Sequence, residues 1–227
     1  MAMQFYWDNP YPSIRMPVMG RNVVSTSHPL AAQAGLKMMH LGGNAIDAAI
    51  AAAATLMIVE PVSNGLGSDC FAIVWDGDEL QGLNASGTAP QAWNPSYFAS
   101  KFGTEGNGIA KHPMRGWDSV TVPGALAGWE ALHARYGSLP LADLLQPAIE
   151  IAERGYALPP VVAKKWAAAA AELHAQPGFA QAFMPHGRAP AIGELFRFEA
   201  AAKGLRHIAK HGVRAYYEGE IAESIAR

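Results

Sequence analysis

Val62-Ser-Asn-Gly-Leu-Gly-Ser-Asp-Cys-Phe-Ala-Ile-Val-Trp-Asp-Gly-Asp-Glu-Leu-Gln-Gly-Leu-Asn-Ala-Ser-Gly-Thr-Ala-Pro90 decides the architecture. A glycine-rich turn feeds an apolar run, Cys70–Trp75, which reads as a buried strand. Asp76-Gly77-Asp78 is a tight turn, and Glu79–Leu83 returns as a second strand. The hairpin ends in Asn84-Ala-Ser-Gly-Thr-Ala-Pro90, a polar and kinked exit. Polar groups that leave a core strand sit at a cleft without needing a long mobile loop. Asn84, Ser86, Gly87 and Thr88 are therefore the candidate pocket residues.

Working outward, Asn22–Ser27 is short and β-branched and predicts a strand. His28-Pro29 opens a helix with proline in its first turn. Leu30, Ala34, Met38 and Leu41 recur at helical spacing, and Gly42-Gly43 ends it. Asn44 with Asp47 three residues on marks the start of the next helix, Ala45–Val59. Its alanines leave small faces on nearly all sides, which places it between a sheet and another layer. After the hairpin, residues 91–118 read as loop with one short helix over Pro95–Phe102. Helices follow over Ala125–Tyr136, Leu141–Arg154 (carrying Pro147), from Pro159-Pro160 onward, over Glu199–His211 and over Gly219–Ala226. Residues 176–193 read as loop. The order is strand, helices, hairpin, then many helices. It predicts an α+β fold, helix-rich after the hairpin, with too few strands for its helices. Residues 1–20 form an extended N-terminal arm in this reading, and residues 21–227 form one partial domain.

Half of the 227 residues are hydrophobic, enough for a substantial core. A net charge of −2 with no basic stripe excludes a phosphate-binding surface, so no nucleic-acid partner is expected. The single cysteine, Cys70, excludes an intrachain disulfide framework and a cysteine-based zinc site. The longest apolar run, Ala48–Val59, is shorter than the roughly 20 residues that span a bilayer, so no membrane is expected. Met1–Met19 lacks a cationic start followed by an apolar run, so no secretory signal and a cytoplasmic location are expected.

Other motifs reduce to structural roles. Gly65-Leu-Gly67-Ser-Asp69 has the glycine spacing of a phosphate loop, but the order here is helix, loop, strand instead of strand, loop, helix. His207 and His211 lie four apart on a helix, a spacing two metal ligands use. Lys203, Arg206, Lys210 and Arg214 surround them, so a solvated basic face is the reading, and no metal or cofactor is expected. Gly-x-Ser-x-Gly is absent, which removes a serine-hydrolase elbow. Cys70 reads as a small buried hydrophobe.

Several stretches in order resemble the γ-glutamyltransferase family of N-terminal-nucleophile hydrolases, in the N-terminal part of the large subunit. They are Asn22-Val-Val-Ser-Thr-Ser-His-Pro-Leu-Ala, Gly42-Gly-Asn-Ala-Ile-Asp-Ala-Ala, Gly65–Pro90 and Ser119-Val-Thr-Val-Pro-Gly124. Tyr136-Gly-Ser-Leu-Pro140, Pro147-Ala-Ile-Glu-Ile-Ala-Glu-Arg-Gly155 and Ala215-Tyr-Tyr-Glu-Gly-Glu-Ile-Ala222 continue the series. The resemblance implies an αββα sandwich, incomplete in this chain, and a precursor that cleaves itself before a threonine. The freed amine of that threonine serves as base for its own hydroxyl, giving an acyl-enzyme. Thr26, Thr55, Thr88, Thr104 and Thr121 do not sit in the family's threonine motif. The nucleophile is thus expected outside this chain, which alone is expected to be inactive. Many family members are exported, and this chain departs from them in its N-terminus.

The resemblance also implies the chain's own small subunit as partner, a homodimer of such heterodimers, and a small-molecule amide as substrate. Members that act on γ-glutamyl groups hold the α-carboxylate with an arginine at the hairpin exit. That arginine falls at Ser86 here, or at Thr88 in the acylase-like branch that includes cephalosporin-acylase-like and oxamate-amidohydrolase-like members. Neither position is arginine, which leaves Arg115, or an arginine outside this chain, as the expected substitute. Ser86 or Thr88 would then take the arginine's place. The expected function is part of an autoprocessed amidohydrolase cleaving a γ-glutamyl or small acyl amide. The alternative is a truncated, non-catalytic scaffold or binding fragment of the same fold.

Overall fold

The computed structural model describes residues 18–226. Most of the expected N-terminal arm lies outside them. The described residues fall into two compact units. One comprises residues up to Asn64 together with those from Gly137 onward, and the other is Gly65–Tyr136.

The first unit is a stack of helices. α1 (Pro29–His40) packs on α2 (Ala45–Val59), and α2 packs on α5 (Leu141–Arg154). α5 in turn packs on α8 (Glu199–His211). Ala31, Ala34 and Met38 of α1, Ile50 and Ile58 of α2, Leu144, Leu145 and Ala148 of α5, and Leu205 and Ile208 of α8 are all buried between them. Small residues on α1 and α2 let their axes approach. α6 (Pro160–Leu173) closes one side through Trp166, whose indole Nε1 donates to the Phe183 carbonyl at 2.9 Å. Trp166 also meets Phe196 edge-on, at 4.7 Å between centroids. Tyr156–Ala157 pairs antiparallel with Leu195–Phe196 as a two-residue ladder, β3–β4.

Asp47 joins the start of α2 to the loop before α5. Asn44 and Asp47 form a full capping box: the Asn44 Oδ1 accepts the Ile46 and Asp47 amides, and the Asp47 carboxylate accepts the Asn44 amide at 2.9 Å. The same carboxylate, with no exposed surface, also accepts the Ser138 amide at 3.1 Å. One buried charge therefore ties together two points 91 residues apart in sequence.

The second unit holds the hairpin. β1 (Cys70–Trp75) pairs antiparallel with β2 (Leu80–Ala85), with Phe71 opposite Asn84 and Trp75 opposite Leu80. The Asp76 Oδ1 accepts the Asp78 and Glu79 amides and closes the turn. Cys70, Ala72, Val74, Leu83 and Ala85 face inward, while Phe71, Ile73, Trp75 and Leu80 are exposed. α4 (Ala125–Tyr136) packs across the inner face of both strands. α3 (Pro95–Phe102) is the short helix expected within the 91–118 segment.

Most helix bounds hold to within a residue, but β1 is half-exposed and not the buried strand expected, and β2 runs on to Ala85. Among the described residues, α2 packs between the helices α1 and α5 and not against a sheet. Residues 22–27 are a correction: they form no strand among the described residues. Their β-branched side chains favour extended backbone, but a strand also needs a ladder partner, and none lies beside them there. Leu41 is another correction, being the exposed C-cap of α1 and not part of its buried face. The 176–193 segment is a correction: it contains α7 (Phe179–Phe183), a short helix whose Phe183 meets the Trp166 ring edge-on at 5.9 Å between centroids. α9 (Arg214–Tyr217) and β3–β4 are too short to leave a periodic signal. The final helix is α10 (Glu220–Ala226).

Asp47→Ala would take the carboxylate acceptor from the partly buried Ser138 and Asn44 amides. It should destabilise the protein by about 2 kcal/mol, read from the urea midpoint of the full-length protein. Asp47→Asn, which keeps one acceptor oxygen, should cost less.

Candidate functional site

The hairpin exit is built from backbone first. β2 stops at Ala85 because Asn84 turns its own side chain back on the chain: its Oδ1 accepts the Ser86 amide at 3.0 Å. Gly87 then adopts a φ of +82°, a region that side chains disfavour. The segment Val120–Pro123 runs beside this kink. The Val122 amide donates to the Thr88 carbonyl at 3.0 Å, and the Thr121 hydroxyl donates to the Ser86 carbonyl at 3.2 Å.

A Cβ on Gly87 would come within 1.8 Å of the Val122 carbonyl oxygen. A Cβ on Gly124 would come within 2.1 Å of the Ala85 carbonyl oxygen. Glycine is therefore obligatory on both sides of the contact. The Ser68 carbonyl accepts the Gly124 and Ala125 amides at 3.2 and 2.9 Å. These two bonds satisfy donors at the start of α4 and fix the helix against the loop that leads into β1.

Asn84, Ser86, Gly87 and Thr88 are thus gathered into one turn. Asn84 and Thr88 are exposed, and Ser86 and Gly87 are half-buried. Neither the Ser86 nor the Thr88 hydroxyl has a hydrogen-bond partner among the described residues. The turn presents a carboxamide and two hydroxyls and carries no charged side chain. Arg115 lies in the exposed stretch ahead of the 3-10 turn Trp117–Ser119.

That turn is anchored by a three-residue clasp. The Lys101 ammonium donates to Asp118 Oδ2 at 2.8 Å and to the Tyr97 hydroxyl at 2.9 Å, and Tyr97 donates to Asp118 Oδ1 at 2.5 Å. Lys101, and then Tyr97, hold the Asp118 carboxyl below the usual carboxylate range. The clasp ties α3 to the segment that supports the exit. Thr121–Gly124 has no role at the exit in the sequence reading. The signal for its role was Pro123-Gly124 directly before a helix, which called for a close approach but did not name the partner.

Cys70 is half-buried, more open than a core residue, with its sulfur against Gly128 of α4. Burial pushes its thiol pKa up, which disfavours the reactive thiolate. His207 and His211 stand with ring centroids 4.6 Å apart on α8. Arg206 beside them ion-pairs with Glu153 of α5. Among the described residues no group of three or more His, Cys, Asp or Glu is placed to hold a metal ion, and no helix is long and apolar enough to cross a membrane.

The mixed, helix-rich fold is that of the γ-glutamyltranspeptidase and acylase group of N-terminal-nucleophile hydrolases. It superimposes on the cephalosporin acylase of Bacillus halodurans with a TM-score of 0.85 and 44% identity, covering 99% of this chain and 42% of that one. The γ-glutamyltranspeptidase of Helicobacter pylori gives a TM-score of 0.83 at 30% identity, over 93% of this chain and 60% of that one. In sequence, the Acylase ACY 1 proenzyme of Pseudomonas sp. (strain V22) is 35% identical over 209 residues. The profile of the family described as Gamma-glutamyltranspeptidase matches residues 31–227. The chain belongs to the γ-glutamyltranspeptidase family. The alignment takes in 90% of this chain, which spans only 38% of the length of that Pseudomonas relative.

Gly87→Ala and Gly124→Ala should each destabilise the hairpin exit by about 3 kcal/mol, because the nearest atoms are backbone and cannot give way. Gly82→Ala meets nothing within 4 Å and should stay within about 0.5 kcal/mol of the parent. Denaturant unfolding of the three variants checks the contrast.

Proposed function

We propose that this chain is the pocket-lining part of an autoprocessed amidohydrolase whose nucleophile is an N-terminal threonine lying outside these residues. The observation that carries the reading is the rigid, uncharged exit Asn84–Thr88 in a chain that belongs to this family. Cleavage of a precursor frees the threonine amine, which takes the proton of its own hydroxyl as that oxygen attacks the amide carbonyl. The amide C–N bond then breaks, the leaving amine takes the proton held by the threonine amine, and the acyl group rests as an ester on the threonine until water or another amine accepts it. The partner in this reading is the chain's own small subunit, and the substrate is a small amide.

Ser86 and Thr88 stand where the resemblance places an arginine. An arginine fork matches a carboxylate with two charge-assisted hydrogen bonds, whereas a hydroxyl offers one neutral bond and no countercharge. The site therefore favours an acyl group with a neutral polar feature over one with a free α-carboxylate. The name of the Pseudomonas relative, an acylase proenzyme, supports that direction.

In the full-length enzyme, Ser86→Ala and Thr88→Ala should each lower kcat/KM by about 10-fold, the loss of one hydrogen bond to the acyl group. Thr88→Arg should raise the ratio of γ-glutamyl to neutral-acyl hydrolysis. The reading fails if the double alanine variant keeps the parent kcat/KM on every amide the enzyme cleaves.

A further inference from the structure

His28 is not used by that chemistry, yet it is buried to within 6% of full enclosure. Its Nδ1 accepts the Leu30 amide at 3.2 Å and so caps the start of α1. An accepting nitrogen carries no proton, so the proton of the neutral ring sits on Nε2. Nε2 is buried and has no hydrogen-bond partner among the described residues. The hydroxyl of Tyr156, on β3, is in the same condition. The two rings meet edge to face with centroids 6.1 Å apart.

Buried polar atoms without partners are rare, and two side by side are a store of unspent polar energy. The titratable groups facing His28 are Tyr156 from β3 and Glu60 from the end of α2. Glu60 is committed elsewhere, with its Oε2 accepting from the Ser27 hydroxyl at 2.8 Å. Its backbone carbonyl accepts the Ser63 and Asn64 amides where the chain leaves α2.

We propose that His28 is an acid-sensitive latch: neutral, it caps α1, and protonation at Nδ1 breaks that cap and loosens residues 22–27. The geometry couples the two events. A proton on Nδ1 would turn the acceptor into a donor pointed at the Leu30 N–H, so the ring cannot charge and keep the cap. Residues Val23–Thr26 precede the latch and lie beside the alanine face of α2. Val24 also touches Gly35 of α1.

The direction in pH follows from burial. Desolvation lowers the His28 pKa below its ordinary value, against the smaller opposing pull of Glu60. The folded protein thus binds this proton less tightly than the unfolded chain. The stability His28 contributes is complete above about pH 6.5 and is lost as pH falls from there through the lowered folded value.

The test follows the His28 ring by 15N-resolved NMR in the full-length protein, together with hydrogen exchange at the Leu30 amide. Unfolding of the parent and of His28→Asn is compared between pH 7 and 5. Asparagine keeps a capping oxygen and does not titrate. The latch predicts an Nε2–H tautomer at neutral pH and a midpoint below about 6.5. Leu30 protection should disappear as His28 charges. On unfolding in the acid range, the parent should take up as much as about one more proton than His28→Asn. Titration at or above 6.5 with the Leu30 amide still protected overturns the proposal, as do parallel pH profiles for the two proteins. If His28→Asn does not fold, the ring titration and Leu30 exchange in the parent decide alone.

Discussion

The Ser68 carbonyl accepts the first amides of α4, and the Gly124 that makes this possible sits where any side chain would strike the Ala85 carbonyl. These backbone contacts start α4 and hold it against the end of the hairpin, which the Asn84 side chain itself turns. Gly87 meets the Val122 carbonyl from the other side, so the exit is held from both directions by main chain. Groups that must meet a substrate within tenths of an ångström are best carried on such elements, because their position does not depend on side-chain rotamers.

Much of this was legible in the sequence, and the reasons are physical. Asn44 with Asp47 marked the start of α2 because a capping box satisfies two orphan amides locally. The limits of Ala125–Tyr136, Leu141–Arg154 and Glu199–His211 followed from turn residues and apolar period, which act within a few residues. What the sequence did not show is non-local. That Asp47 also takes the Ser138 amide, and that Gly124 meets Ala85, depends on partners far along the chain. Residues 22–27 carry strand-forming side chains without a ladder partner among the described residues, so their local preference has nothing to pair with. Asn84–Thr88 was legible as a turn, but the unpartnered hydroxyls of Ser86 and Thr88 were not.

The absence of charge at the exit separates family membership from substrate choice. The fold and the family match establish kinship with proteins named as acylases and as a γ-glutamyltranspeptidase alike. In the proposed reading, the choice of acyl group would turn on two side chains, Ser86 and Thr88, and on what stands opposite them. Folds host many chemistries, and specificity rests in such positions. The exposed apolar strip Phe71, Ile73, Trp75 and Leu80 lies on the opposite face of the hairpin from α4. Burying such a strip stabilises an assembly by roughly 25 cal/mol for each Å² removed from water.

The central claim is that catalysis needs a threonine released by self-cleavage beyond this chain. The direct measurement is the intact mass of the full gene product after expression, with the N-terminal sequence of each fragment. Two chains, the smaller beginning with threonine, are what the account predicts. A single uncleaved chain that still hydrolyses amides, or a second fragment beginning with any other residue, would contradict it.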